Sequence, residues 1–168
     1  MLIEGYKSLV QQLANTICNK RIIYEPNISP YQTANEIRVS NFTEDIHEIA
    51  HWIAADPTSR TLFNLGLPTE EDEKMFRSSV IKDKLSERMY KEECVALILT
   101  KLIFDKMVIN RGKKLAKYED YVTYMHGQSK AIASKFNFCY ENIKELASSL
   151  FSHYVIKKRN SDDLFEGM

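Results

Sequence analysis

The stretch from Asp45 to Ala55, DIHEIAHWIAA, constrains this chain more than any other, because it carries His47-Glu48-x-x-His51. On a helix, residues four apart lie on one face. His47 and His51 can therefore aim two imidazoles at one metal ion, with Glu48 beside them as a ligand or a proton acceptor. Ile46, Ile49, Ala50 and Ile53 recur at helical spacing, and Asn41 followed by Glu44 forms a capping pair. The pattern arises by chance about once in a few hundred chains of this length, and chance copies fall mostly in loops or on solvated faces. The bland alternative is a pair of histidines satisfied within the core.

Composition excludes several classes of function. The chain has 168 residues, enough for one domain with a real core, and it is read as a single metal-binding domain over residues 1–168. Lys plus Arg and Asp plus Glu are 23 each, so no basic excess points to nucleic acid. No apolar run reaches membrane-spanning length, and the start, MLIEGYKSLVQQL, is not a secretory leader. Cys18, Cys94 and Cys139 are odd in number and far apart, as expected of small core residues in a reducing cytoplasm.

Taken in order, residues 3–19 form an amphipathic helix with Ile3, Tyr6, Leu9, Val10, Leu13 and Ile17 on one side. Arg21–Tyr24 reads as a strand, EPNISPYQTANE as an extended loop and Glu36–Ser40 as a second strand. Asp56-Pro57 stops the His-bearing helix, and Thr58–Pro68 forms a wall for the site. An acidic helix starts at Thr69-Glu70-Glu71-Asp72. Residues Leu85–Ile109 form the central core helix, followed by helices over 119–135 and 140–157, with a turn at Asn137 and a polar tail from about 157. The expected fold class is α+β and mostly helical, with a small sheet and a helical C-terminal part.

Two histidines hold a metal weakly, so a third protein ligand is expected. His126 and His153 are nitrogen candidates, each more simply read as a packing or surface histidine. Glu92 is the stronger candidate. It heads an apolar stripe of Val95, Ala96, Leu99, Leu102 and Ile103, where a carboxylate is costly unless paired or bound. Glu93 shares its face with Leu97, Thr100 and Phe104 and is the fallback. Two histidines and one carboxylate suit iron(II) or zinc(II).

The segment Ile46-His47-Glu48-Ile49-x-His51-Trp52 resembles the elongation factor P hydroxylases, in which a Trp also follows the second His. The likeness continues through Arg60, Leu62 and Gly66, and upstream through Glu25-Pro26 and Pro30. It runs downstream to the acidic residues before Cys94-Val95-Ala96-Leu97, covering residues 21–105. The chain departs from the family at Asn64-Leu65-Gly66-Leu67-Pro68, which lacks its acidic and tyrosine residues. The resemblance implies a zincin-like α+β fold, with iron(II) on His47, His51 and Glu92, Glu48 as a nearby proton acceptor, and Trp52 packed behind the site. It implies hydroxylation of a modified lysine on a docked protein, elongation factor P or a similar translation protein, in the cytoplasm. The rival is a zinc metallopeptidase with Glu48 as general base, for which His126 or Tyr124 would stabilise an oxyanion. A third reading is a binding protein in which the metal is structural or lost.

Overall fold

The computed structural model describes residues 2–40, 42–55, 79–111 and 116–157. Helix α1 (Leu2–Leu13) runs into a π-helical turn over Ala14–Cys18. Leu9, Val10, Leu13, Ala14, Ile17 and Cys18 are all buried, so the apolar stripe continues through the wider turn. Asn19 ends it in the left-handed region at φ 55°, its N–H bonding the Ala14 carbonyl; Asn is among the few side chains that adopt this conformation readily.

Strands β1 (Arg21–Tyr24), β2 (Tyr31–Gln32) and β3 (Glu36–Val39) form a sheet in the order β1-β3-β2. β1 is parallel to β3, with Arg21 opposite Glu36 and Tyr24 opposite Val39. β2 is antiparallel, with Tyr31 opposite Arg38 and Gln32 opposite Ile37. The expected loop thus contains a strand. Its two residues, squeezed between Pro30 and the Thr33 turn, are too few to show an alternating pattern. The outer edge of β1 is covered by a side chain. Gln11 accepts from the Ile22 N–H at 3.0 Å and donates to the Lys20 carbonyl at 3.4 Å, standing in for a strand neighbour.

Helix α2 (Phe42–Ala54) follows β3 directly. Ile46, Ile49, Ala50 and Ile53 are buried as their spacing predicts, and α2 packs on β3, α1 and the long helix α3 (Ser79–Arg111). The Tyr24 hydroxyl donates to Asp45 Oδ2, tying β1 to the first turns of α2. Asn41, the Asp56-Pro57 stop, the wall at 58–68 and the helix start at 69–72 lie outside the described residues. α3 begins at Ser79, ahead of the expected boundary at Leu85.

Helices α4 (Ala116–Lys135) and α5 (Tyr140–Phe151) pack on α3 and are separated by a turn with Asn137 at φ 60°. α5 passes into a second π-helical segment at Ser152–Lys157. The fold is therefore α+β and mostly helical, with one small sheet. No described helix is long and apolar enough to cross a membrane. Cys18 and Cys94 are core residues as expected, with Cys94 Sγ donating to the Ser129 carbonyl at 3.1 Å. Cys139 is exposed instead, because it sits at the N-cap of α5 in the interhelical turn.

Candidate metal centre

His47 and His51 project from α2 toward α3, ring centroids 4.6 Å apart and nearly perpendicular. Glu93 on α3 meets both. Its Oε1 stands 3.1 Å from His47 Nε2, and its Oε2 stands 2.6 Å from His51 Nε2. One ligand atom from each of the three residues lies within 4.8 Å of the others, so His47, His51 and Glu93 could hold a metal ion.

The far nitrogens decide what the near ones can do. Thr100 Oγ1 donates its only hydrogen to the Ala96 carbonyl at 2.7 Å, so toward His47 Nδ1, 2.9 Å away, it can only accept. His47 therefore carries its proton on Nδ1 and turns the lone pair of Nε2 toward Glu93. His51 Nδ1 likewise donates to Glu92 Oε1 at 3.2 Å. Each imidazole is held by an acceptor on its outer nitrogen, which is how ligating histidines are ordinarily oriented. In their neutral forms both Nε2 lone pairs would face the oxygens of a carboxylate. That arrangement is repulsive unless a proton or a metal ion lies between, and ligand atoms sharing a first-row ion stand about 3 Å apart.

Glu92 and Glu93 thus divide the role expected of one residue. Glu93 completes the convergent set and Glu92 braces His51 from behind, with side-chain exposures of 15% and 34%. The apolar stripe below Glu92 favoured it, but Glu93 and Thr100 lie seven residues apart on one face, and that face meets His47 on both of its nitrogens. A lone threonine inside CVALILTKLIF was the signal for it.

Glu48 is buried and turned toward the sheet. Gln32 Nε2 donates to its Oε2 at 2.9 Å and to its main-chain carbonyl, while Lys20 Nζ donates to Gln32 Oε1 at 2.8 Å. The sequence reading did not single out Lys20 or Gln32, since neither lies in a motif. His126 is elsewhere, hydrogen-bonded to the Tyr140 hydroxyl at 2.7 Å, and His153 is exposed beside the Tyr154 ring. Tyr124 is exposed. Trp52 packs edge-to-face on Tyr154 at 5.9 Å.

Burial works against a charged His51. The carboxylates of Glu92 and Glu93 and the nearby charge of Glu48 outweigh it, raising the imidazole to about 10. Burial opposes ionisation of Glu93 as well, yet the imidazoles of His47 and His51, when they carry a proton toward it, hold the carboxyl well below the usual range. Burial pushes Asp45 up to about 8, partly countered by the Tyr24 hydroxyl and the Ile46 N–H.

Family models, curated proteins and solved structures were all compared with the chain, and none matches.

Two outcomes are expected. Without metal, the folded chain keeps a proton on His51 that the unfolded chain releases near 6.5, so this stabilisation is complete below that pH and lost as pH rises toward about 10. Asp45 acts in the same direction, because the folded chain keeps its proton to about 8 while the unfolded chain loses it near 3.8. Urea midpoints of metal-free protein should therefore fall from pH 6.5 to 8; a rising midpoint over that range would contradict the assignment. Thr100→Val keeps the shape but removes the acceptor for His47 Nδ1–H. It should weaken zinc binding by about 10–100-fold in a chelator competition, with the far-ultraviolet spectrum unchanged.

Proposed function

We propose that this chain is a metal-dependent enzyme with a zincin-like centre, an iron(II) hydroxylase of the elongation factor P hydroxylase kind. Its substrate would be a modified lysine on a docked protein, elongation factor P or a similar translation protein, in the cytoplasm. The observation that carries the reading is the pair of Nε2 atoms converging on Glu93 with both outer nitrogens braced. The resemblance of Ile46–Trp52 to that family supports the choice of chemistry.

His47, His51 and Glu93 would hold the ion, and iron, when bound, would supply the activation of dioxygen, one oxygen atom going to the carbon and the other to water with two electrons from an external reductant. The protein's own groups do the rest. Thr100 and Glu92 fix the direction of the imidazoles, so little reorganisation is needed when the ion enters. Glu48, next to His47 in the chain and fastened on one side by Gln32, would serve as the proton acceptor. Glu93 is the most exposed member of the cluster, so a substrate would reach the centre from its side.

A zinc metallopeptidase is the second reading. It is favoured by the donor set itself, two histidines of one helix and a glutamate of a later one, with Glu48 as general base. Elemental analysis of protein purified without oxygen separates the two. Iron near one per chain, absent from the His47→Ala, His51→Ala double variant, is the expected result, together with a gain of one oxygen atom on modified elongation factor P by mass spectrometry. Glu48→Gln should retain the iron and lose about 10²–10⁴-fold in turnover. Zinc at the same stoichiometry would favour the peptidase, and full metal occupancy in the double variant would overturn both readings.

A further inference from the structure

We infer that Lys20 and Gln32 are positioning residues for Glu48. Through the Gln32 amide, Lys20 fastens one oxygen of that carboxylate to the sheet and supplies its counter-charge. The functional purpose of this device rests on the metal-site reading above; its existence does not.

All three side chains are withdrawn from water, at 3% exposure for Lys20, 0% for Gln32 and 8% for Glu48. An ammonium can only donate and a carboxylate can only accept. The amide between them therefore has a single workable orientation, its oxygen toward Lys20 Nζ and its nitrogen toward Glu48 Oε2. Reversing the amide would set its N–H₂ against the ammonium and its oxygen against the carboxylate. The same nitrogen also reaches the main-chain carbonyl of Glu48, so the grip includes the helix backbone next to His47. Among the described residues Oε1 of Glu48 accepts no hydrogen bond, so the grip is on one oxygen only.

The arrangement spans separate pieces of the fold. Lys20 lies between the first π-helical turn and β1, Gln32 on the edge strand β2, and Glu48 on α2. Burial pushes the Lys20 amine down, while the charges of Cys18 and Glu48 oppose that shift. A buried lysine with a single bond is costly, and a nearby carboxylate reached through one amide offsets the cost. A bond on one oxygen fixes the direction of the carboxylate, and the ammonium stands behind the amide that makes it.

The test uses metal-free protein. The infrared difference between the native chain and Glu48→Gln isolates the carboxylate band of Glu48. In Lys20→Met the stem is kept and the amide loses its orienting charge, so the same band, isolated against Lys20→Met with Glu48→Gln, should shift. Gln32→Met removes both bonds at constant length and should shift it in the same direction. A band at the native position in both variants would overturn the inference. Urea unfolding gives a second measurement that does not depend on the spectrum. Lys20→Met should lower the midpoint in the native background but not in Glu48→Gln, where the ammonium has already lost its counter-charge. Equal losses in both backgrounds would make Lys20 a packing residue and overturn the proposal. Because no metal is added, failure of zinc to bind would leave these results standing and would count against the metal reading alone.

Discussion

Glu93 lies between two imidazole nitrogens whose protons are committed elsewhere, and the arrangement of helices α2 and α3 depends on how that crowding is relieved. A carboxylate facing two lone pairs at 3.1 and 2.6 Å is not a stable contact by itself. In metal-free protein a proton on His51 relieves it, which is why that imidazole rises to about 10 despite being buried. A divalent ion would relieve it more fully, satisfying three donors at once and releasing the proton. The three donor atoms already converge without an ion.

The rest of the fold serves to keep α2 and α3 in register. Ile46, Ile49 and Ile53 anchor α2 in the core, while Leu99, Ile103 and Phe104 anchor α3, so the polar faces of the two helices meet above an apolar floor. Four polar side chains near that floor have partners. Thr100 bonds backward to Ala96, Glu92 bonds His51, Asp45 takes the Tyr24 hydroxyl, and Glu48 is held by Gln32. Such networks are costly when half satisfied and rigid when complete. The small sheet contributes little area, but it supplies Tyr24 and Gln32 at the positions where α2 needs partners.

The sequence made the framework legible and the site partly so. The spacing of Ile46, Ile49, Ala50 and Ile53 placed α2 and oriented its histidines, and the β-branched run at Arg21–Tyr24 and the alternation over Glu36–Ser40 located two strands, though not their parallel pairing. β2 was hidden because two residues carry no periodicity. The choice between Glu92 and Glu93 turned on helical phase. A stripe of apolar neighbours says which side of a helix is buried, but not which neighbouring helix that side faces. Here α3 meets three partners, α2, α4 and α5. Cys94 faces Ser129 on α4 while Glu93 and Thr100 face His47 on α2, and only the packing separates these directions. Lys20 and Gln32 gave no signal, since isolated polar residues beside a turn are usually solvated. The proposed hydroxylase chemistry rests on the resemblance around Trp52, whereas the donor atoms come from the geometry.

The most direct test of the central claim is anomalous diffraction at the zinc edge from crystals soaked in zinc. The account predicts one strong peak per chain, coordinated by Nε2 of His47, Nε2 of His51 and the Glu93 carboxylate, with Glu92 still on His51 Nδ1 and Thr100 still on His47 Nδ1. A peak held through an Nδ1 atom, a peak with Glu92 as ligand in place of Glu93, or no peak between α2 and α3 would contradict it.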